Sequence, residues 1–264
     1  MSENQESLVR YAVKEHTAWL TLNRPKRLNA LSIESIKALV KNLERANEDP
    51  AVRAVVITGE GTKAFCAGAD IDSFYNESQG SISEHAFREQ LLSLFTTLMQ
   101  LGKPTIARVN GYALGGGFGL AMACDLVVTT SSAQFGTPEV NIGLFPMMIM
   151  PVLQRNIGRK KLLEMMYTGD KLRGDEALAL GMVNYAVSVD QLDQTVNELT
   201  RKITRKSQVI YKLGREAFYT MADQSQPEAL EYLQDMLSKN LHTADAKEGL
   251  QAFLEKRTPV WTDQ

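Results

Sequence analysis

The chain contains 264 residues, with 29 Lys and Arg against 31 Asp and Glu, so its formal net charge is −2. This balance excludes a strongly basic nucleic-acid-binding protein, because phosphate binding needs clustered positive charge. An apolar fraction of 44% with 23% charged residues excludes a disordered chain. The longest uncharged run, residues 109–124, is shorter than the about 20 apolar residues of a membrane-spanning helix.

The first part of the chain alternates between strand and helix patterns. Alternating apolar residues in 9–13 and 18–22 predict a β-hairpin. Ser32 is expected to cap a helix whose apolar face extends to Leu43. Residues 54–57 form a short apolar run, which is typical of a strand buried on both faces.

The same alternation continues through the middle of the chain. Residues 81–84, Ser-Ile-Ser-Glu, form a capping-box pattern that predicts the start of a helix with apolar positions from Phe87 to Leu98. Residues 105–109 and 126–129 predict two further buried strands. The patterns together predict an α/β fold.

The last part of the chain has a different composition. Sixteen of the 18 glycines precede residue 182, so the segment after it is expected to be helical. Apolar residues recur at helical spacing from Leu192 to Leu241, and Pro227 is expected at the first position of one helix. Such amphipathic helices must cover either the core or another subunit.

One glycine pattern matches a nucleotide-binding motif, but the residues after it do not match the rest of that fold. Gly59, Gly61 and Ala64 match a dinucleotide-binding fingerprint after a predicted strand. Residues 65–69 lack the amphipathic period of the helix that should follow, and no second strand ends in an acid about 20 residues later. The sequence therefore does not predict a nucleotide site here.

Three consecutive glycines, Gly115, Gly116 and Gly117, precede a segment that can be helical. At a helix start, glycines leave amide groups uncovered and allow a ligand to approach closely. Such amides stabilise negative charge. A tight turn beneath a crowded core explains the same residues equally well from the sequence alone.

Glu139 follows Pro138 and precedes a strongly apolar segment, residues 140–148. A carboxylate walled by apolar groups is expected to be desolvated, which raises its pKa and suits it to proton transfer. The alternatives are a solvated acid in a turn or a structural salt bridge.

Other reactive side chains give weaker signals. Cys66 and Cys124 have apolar or small neighbours, as packed reduced thiols do. His16, His85 and His242 lie far apart without metal-ligand spacing, and no G-x-S-x-G nucleophile motif occurs. The sequence predicts no metal and, because its first residues lack a signal-peptide pattern, a cytoplasmic location.

An ordered set of segments, spread over nearly the whole chain, resembles the crotonase (enoyl-CoA hydratase/isomerase) superfamily. The segments are residues 22–31, 64–71, 109–117, 133–139 and 168–170, together with Ala177 and Gly181. The resemblance implies an α/β spiral of ββα units over residues 1–195, carrying the CoA site. It further implies a helical trimerisation region over residues 196–264, with trimers often paired into hexamers.

The resemblance also implies a mechanism. The backbone amides of Ala69 and Gly116 would bind the thioester carbonyl oxygen of an acyl-CoA and stabilise its enolate, with Glu139 as the catalytic acid and base. No cofactor is implied beyond the CoA of the substrate.

Substrate contacts follow from the same resemblance. Lys26 and Leu28 would line the adenine and phosphate end, and Ala67 and Ile71 would flank the bent CoA. Phe253 and Lys256 look like residues that reach a CoA, often one held by a neighbouring subunit. The remaining substrate-binding positions are Gly68, Asp70, Leu114, Gly115, Gly119, Pro138 and Leu144.

One position departs from the family pattern. Well-studied hydratases carry two glutamates, whereas this chain has Gly119 at the first position and keeps only Glu139. The leading prediction is an enoyl-CoA hydratase that adds water to a 2-enoyl-CoA. The alternatives are a 3-enoyl to 2-enoyl-CoA isomerase that uses Glu139 alone, and an acyl-CoA-binding protein without catalysis.

Overall fold

The computed structural model of the chain describes residues 7–72, 75 and 85–264. The predicted capping box at 81–84 lies outside the described residues. Ten strands occur in the described part: β1 Val9–Lys14, β2 Thr17–Leu22, β3 Ala54–Gly59, β4 Ala64–Cys66, β5 Thr105–Val109, β6 Tyr112–Leu114, β7 Leu126–Thr130, β8 Gln134–Gly136, β9 Lys171–Arg173 and β10 Tyr185–Val187.

The helices that pack around these strands are α1 Ile33–Glu48, α2 Ala86–Gln100, α3 Gly116–Ala123, α4 Met150–Asn156, α5 Arg159–Thr168, α6 Gly174–Ala179, α7 Leu192–Thr204, α8 Gln208–Met221, α9 Gln226–His242 and α10 Ala244–Glu255. Short 3-10 turns cover Pro25–Arg27, Pro138–Ile142 and Val189–Gln191. None of the helices in the described residues is both long and apolar enough to cross a lipid bilayer.

The strands form two sheets. The larger sheet has the order β1-β2-β3-β5-β7-β10, and the smaller one has the order β4-β6-β8-β9. Only the β1–β2 and β8–β9 pairs are antiparallel. From β3 to β8, consecutive strands alternate between the sheets, so that the pairs β3–β4, β5–β6 and β7–β8 each give one strand to the larger sheet and one to the smaller.

The central strands of the larger sheet are buried on both faces, as their apolar runs predict. Val55 and Ile57 of β3 face the main core, whereas Ala54 and Val56 face α7 across the sheet. All residues of β3 are buried. Continuous apolar runs are expected for such strands because neither face contacts water.

The amino-terminal helix and hairpin agree with the sequence-based expectations. β1 and β2 pair in register from Val9 with Leu22 to Lys14 with Thr17. Ser32 caps α1, because its side chain accepts a hydrogen bond from the Ser35 amide.

The start of α9 differs from the expectation by one residue. The helix begins at Gln226, so Pro227 occupies its second position. Ser225 and Glu228 form a reciprocal cap, in which the Ser225 amide donates to Glu228 Oε2 at 3.0 Å. This cap fixes the start of the helix one residue before the proline.

The carboxyl-terminal helices α8, α9 and α10 pack on one another and leave large apolar side chains exposed. The predicted boundary between residues 195 and 196 falls inside α7, whose apolar face covers the larger sheet. The exposed apolar residues of α8–α10 are Phe218, Leu230, Leu237, Leu241, Leu250, Phe253 and Leu254.

Candidate active site

Three strands of the smaller sheet end at one place. β4 leads to residues 67–70, β6 leads to Gly115 and Gly116, and β8 leads to Thr137 and Glu139. Because β4, β6 and β8 are parallel neighbours, their carboxyl ends lie side by side. The structure thus brings together the three residues that the sequence marks as catalytic.

The Ala69 amide is oriented by a short backbone bridge. The Leu31 amide donates a hydrogen bond to Gly68 O at 2.8 Å. The Leu31 carbonyl accepts one from the Asp70 amide, also at 2.8 Å. Since successive amides of an extended chain point to opposite sides, the intervening Ala69 N–H points away from Leu31.

The Gly116 amide comes from the other side of the site. Gly116 is the first residue of α3, so its N–H has no acceptor within the helix. A Cβ added to Gly116 would lie 3.6 Å from the Ala69 nitrogen. The two predicted oxyanion donors are therefore near neighbours, as binding of one oxygen requires.

Gly115 links this pair of amides to the carboxylate. Its φ of +50° is in the left-handed region, and its amide donates to Gly136 O at 2.9 Å. A Cβ at Gly115 would lie only 2.7 Å from Glu139 Oε1. The carboxylate therefore rests directly against the glycine that precedes Gly116.

Glu139 is a partly buried acid without a compensating partner. Its Oε2 atom is buried and lacks a hydrogen-bond partner among the described residues, and the carboxylate joins no ion pair there. Burial raises the pKa of Glu139, while its own backbone amide opposes the shift only in part. The structure therefore favours a proton-transfer group over a solvated or salt-bridged acid.

The Glu139 loop is held by its backbone. The Thr137 hydroxyl donates to Met165 O of α5 at 3.2 Å, and the Leu144 amide donates to Glu139 O at 3.0 Å. The apolar residues after Glu139 contribute less than predicted, since Ile142 and Met147 are 57% and 62% exposed. Across the site, Gly115 lies directly against the carboxylate.

Gly119 lies on the buried side of α3, where a side chain does not fit. A Cβ at Gly119 would be 2.3 Å from Ile149 Cγ2 and 3.3 Å from Phe95 Cζ. Apolar side chains therefore occupy the space toward which a residue at this position would extend. A glutamate at this position would therefore require Ile149 to move.

Residues predicted to contact the CoA lie around this centre. Lys26 is exposed in the 3-10 turn Pro25–Arg27, and the Ala67 amide donates to Leu28 O at 3.0 Å. Ile71 is exposed two residues beyond Ala69. The segment with Lys26 and Leu28 therefore runs beside the segment that ends at Ile71.

The other predicted contacts fall into two groups. Gly68, Leu114 and Pro138 belong to the three strand ends, and Leu144 follows Glu139 with 42% of its surface exposed. Phe253 and Lys256 lie at the exposed end of α10, where their contact with a CoA of another subunit stays a prediction.

Asp70 and Arg24 form a feature that the sequence analysis did not identify. Arg24 Nη2 lies 2.7 Å from Asp70 Oδ2. The Asp70 carboxylate, which the sequence analysis assigns to substrate binding, thus forms an ion pair with Arg24. Arg24 lies within the 22–31 motif, but its partner is 46 residues away and no spacing rule connects them. In the described part of the chain, no group of three acidic, His or Cys side chains is arranged to bind a metal.

Comparison with known proteins identifies the family. Residues 13–264 match the family described as enoyl-CoA hydratase/isomerase. This chain belongs to that family, the crotonase superfamily. The spiral of ββα units with a helical carboxyl-terminal region is thereby confirmed as its fold.

Individual family members match over nearly their full length. A crotonyl-CoA hydratase of Syntrophomonas wolfei is 37% identical over 92% of this chain and 94% of its own. A probable mitochondrial enoyl-CoA hydratase of Dictyostelium discoideum is 38% identical over 94% of this chain and 88% of its own. The crystal structure of an enoyl-CoA hydratase of Mycobacterium smegmatis superposes with a TM-score of 0.92, at 36% identity, covering 97% and 99% of the two chains.

Proposed function

We propose that this protein is an enoyl-CoA hydratase, which adds water across the double bond of a 2-enoyl-CoA thioester. The observation that carries the proposal is the partly buried Glu139 carboxylate, whose Oε2 has no hydrogen-bond partner among the described residues, against Gly115 and beside the amides of Ala69 and Gly116. Family relatives named as crotonyl-CoA and short-chain-enoyl-CoA hydratases support the same reaction.

Each group has a role in the proposed reaction. Glu139 accepts a proton from water as the water oxygen bonds to C3 of the enoyl group, and the C2–C3 π electrons move toward the thioester oxygen. The Ala69 and Gly116 amides stabilise the resulting enolate oxygen, and one such donor contributes about 3 kcal/mol in a transition state. Glu139 then returns the proton to C2, which completes the addition of H and OH.

The raised pKa of Glu139 suits both steps. A carboxylate with a pKa closer to neutrality is a stronger base toward water and, once protonated, remains a competent acid toward C2. Desolvation, which is the cause of this shift, is thus also the source of its reactivity.

A second reaction is supported by Gly119. Ile149 and Phe95 fill the space beside Gly119, so this position supplies no second carboxylate to act with Glu139. One base can move a proton between C4 and C2, which isomerises a 3-enoyl-CoA to a 2-enoyl-CoA without adding water. This isomerase activity is the alternative to hydration.

The two reactions are separated by one pair of measurements. Loss of enone absorbance with crotonyl-CoA or a branched 2-enoyl-CoA is expected for the hydratase. Incorporation of solvent deuterium into a 3-enoyl-CoA without net water addition would instead identify the isomerase. Absence of both across a panel of chain lengths would leave only acyl-CoA binding.

We also propose that the chain forms a homotrimer or a dimer of trimers through residues 196–264. The exposed apolar residues of α8–α10 support this assembly, because a monomer would leave them in water. Light scattering of the purified protein tests it, and a monomer at micromolar concentration would contradict it. We further expect a cytoplasmic location and no cofactor beyond the CoA of the substrate.

A further inference from the structure

Arg24 connects two segments that meet at the oxyanion site. Its Nη1 atom donates to Ala30 O at 2.6 Å, and its Nη2 atom donates to Asp70 Oδ2 at 2.7 Å. Only 19% of the Arg24 side chain and 10% of the Asp70 side chain are exposed. A single guanidinium therefore spans from residue 30 to residue 70 in a largely desolvated position.

The arginine is itself held in place. The Arg24 amide donates to Asn29 Oδ1 at 3.0 Å, and Asn29 Nδ2 donates to Ala64 O at 2.8 Å. Asn29 is buried with φ of +57°, a conformation that asparagine tolerates better than most residues. The segment 24–31 is thus fixed to β4, whose chain continues directly into Ala69.

The bridge acts on the residue that follows the oxyanion donor. Asp70 is one peptide beyond Ala69, and its amide donates to Leu31 O at 2.8 Å. The backbone bond therefore fixes one side of Asp70, and the Arg24 guanidinium fixes its carboxylate. These two restraints hold the Ala69–Asp70 peptide, and the bond from the Leu31 amide to Gly68 O holds the Gly68–Ala69 peptide, which carries the Ala69 N–H. The peptides on both sides of Ala69 therefore have little freedom to rotate.

We propose that Arg24 and Asp70 are positioning residues that hold the Ala69 N–H in the direction required to bind the thioester oxygen. A buried ion pair often adds little to stability, because desolvation offsets the attraction, so its geometric effect is the more informative one. The proposal rests on the proposed function for its kinetic test. It gives Asp70 a supporting role in place of the substrate contact predicted from the sequence.

A nearby ion pair provides the control. Arg27 Nη2 and Asp72 Oδ2 lie 3.2 Å apart and join the same two segments, but their side chains are 62% and 68% exposed. Exposed pairs of this kind contribute little to structure. The variants Asp70→Asn and Asp72→Asn therefore make the same isosteric change two residues apart, in a buried and an exposed pair.

The direct test measures the thioester carbonyl stretch of butyryl-CoA bound to each variant by difference infrared spectroscopy. In the wild type, two aligned amides are expected to lower the stretching frequency relative to free butyryl-CoA. Asp70→Asn and Arg24→Gln are expected to move it back toward the free value, whereas Asp72→Asn keeps the wild-type value. An unchanged frequency in a folded Asp70→Asn protein would overturn the proposal.

The kinetic test uses crotonyl-CoA. A misaligned donor is expected to lower kcat by up to about 10²-fold, because a displacement of about 1 Å weakens binding of the transition state. KM is expected to change far less. Arg24→Lys keeps the charge but loses the planar fork that reaches both Ala30 O and Asp70, so an intermediate kcat is expected. A loss confined to KM would contradict a positioning role.

The remaining design separates positioning from folding. If a single variant does not fold, Arg24→Gln/Asp70→Asn removes both charges and leaves no unpaired buried ion. Recovery of the melting temperature without recovery of the carbonyl shift is the expected result, and recovery of both would overturn the proposal. A wild-type carbonyl shift that depends on Asp70, in a protein that does not hydrate crotonyl-CoA, would refute the proposed function alone.

Discussion

The two sides of the site differ in how completely their polar groups are paired. On the amide side, backbone bonds and the Arg24–Asp70 pair fix the chain around Ala69. On the carboxylate side, one buried oxygen of Glu139 has no hydrogen-bond partner in the described part of the chain, and burial raises the pKa of the carboxyl group. In the proposed reaction, fixed dipoles would therefore meet the developing negative charge, and the acid with fewer hydrogen bonds would move the proton.

Removal of the proton carrier is expected to have the largest effect. Glu139→Gln keeps the shape of the side chain but removes its basicity, so kcat for crotonyl-CoA hydration should fall by about 10²–10⁴-fold. The substitution Glu44→Gln, on the exposed face of α1, is the matched control and should leave kcat unchanged. Full activity of Glu139→Gln would show that the carboxylate is not the catalytic base.

Gly115→Ala disturbs the place where the two sides meet. The new Cβ would lie 2.7 Å from Glu139 Oε1, so the carboxylate must move, and displacement of a catalytic group by about 1 Å can cost about 10²-fold in rate. The positive φ adds a strain of about 1–3 kcal/mol to the folded state.

Gly181→Ala separates these two effects. Gly181 also has positive φ, at +72°, but open space surrounds the position of its Cβ. The positive φ should lower the melting temperature of both variants, and only Gly115→Ala, whose Cβ also displaces Glu139, should lose activity in kinetic assays. Equal activity in the two variants would contradict the contact with Glu139.

Gly119→Ala tests whether the space between α3 and Ile149 is filled. Its Cβ would meet Ile149 Cγ2 at 2.3 Å, and overpacking of this kind destabilises by about 1–3 kcal/mol. Combination with Ile149→Ala should recover part of the loss, measured as a double-mutant cycle in urea. Gly214→Ala, at an open position within α8, should instead stabilise by about 1 kcal/mol.

The pH dependence gives the smallest expected effect. Because Glu139 must be ionised to accept a proton, kcat/KM should fall at acid pH, with a midpoint above the about 4.3 of an ordinary glutamate. An acid limb at or below that value would argue against desolvation of this carboxylate.

Stability should respond in the same direction. A pKa raised by folding means that ionisation of Glu139 opposes the native state, so its cost appears as pH rises through the folded-state pKa. Glu139→Gln should therefore melt at a higher temperature than the wild type near neutral pH. The difference should disappear below the pKa that Glu139 has in the unfolded chain.

Local patterns predicted the elements that carry the site. The apolar run at β3 and the glycines at the start of α3 are visible in the sequence because burial on two faces and close approach of neighbouring protein atoms restrict residue types directly. The expected raised pKa of Glu139 is likewise found, although exposed Ile142 and Met147 contribute less to it than predicted.

Relations between distant residues were not predictable in this way. The contact of Gly119 with Ile149 joins residues 30 positions apart, and the Arg24–Asp70 pair joins residues 46 positions apart. Neither pair leaves a local pattern, because each depends on how successive repeats stack. Sequence spacing identified the glycine and the acid, but the structure was needed to show what surrounds them.

The pairing of β4, β6 and β8 in one sheet has a consequence for the spacing of the groups that face the substrate. Each of the three positions proposed as catalytic follows a different strand of this sheet, so the spacing between neighbouring strands, about 4.8 Å, sets their lateral separation. Hydrogen bonds between the strands keep this spacing fixed. Insertions in the connecting loops can change which acyl group enters. The distance between the backbone amides and the carboxylate stays constant, because the strand spacing sets it.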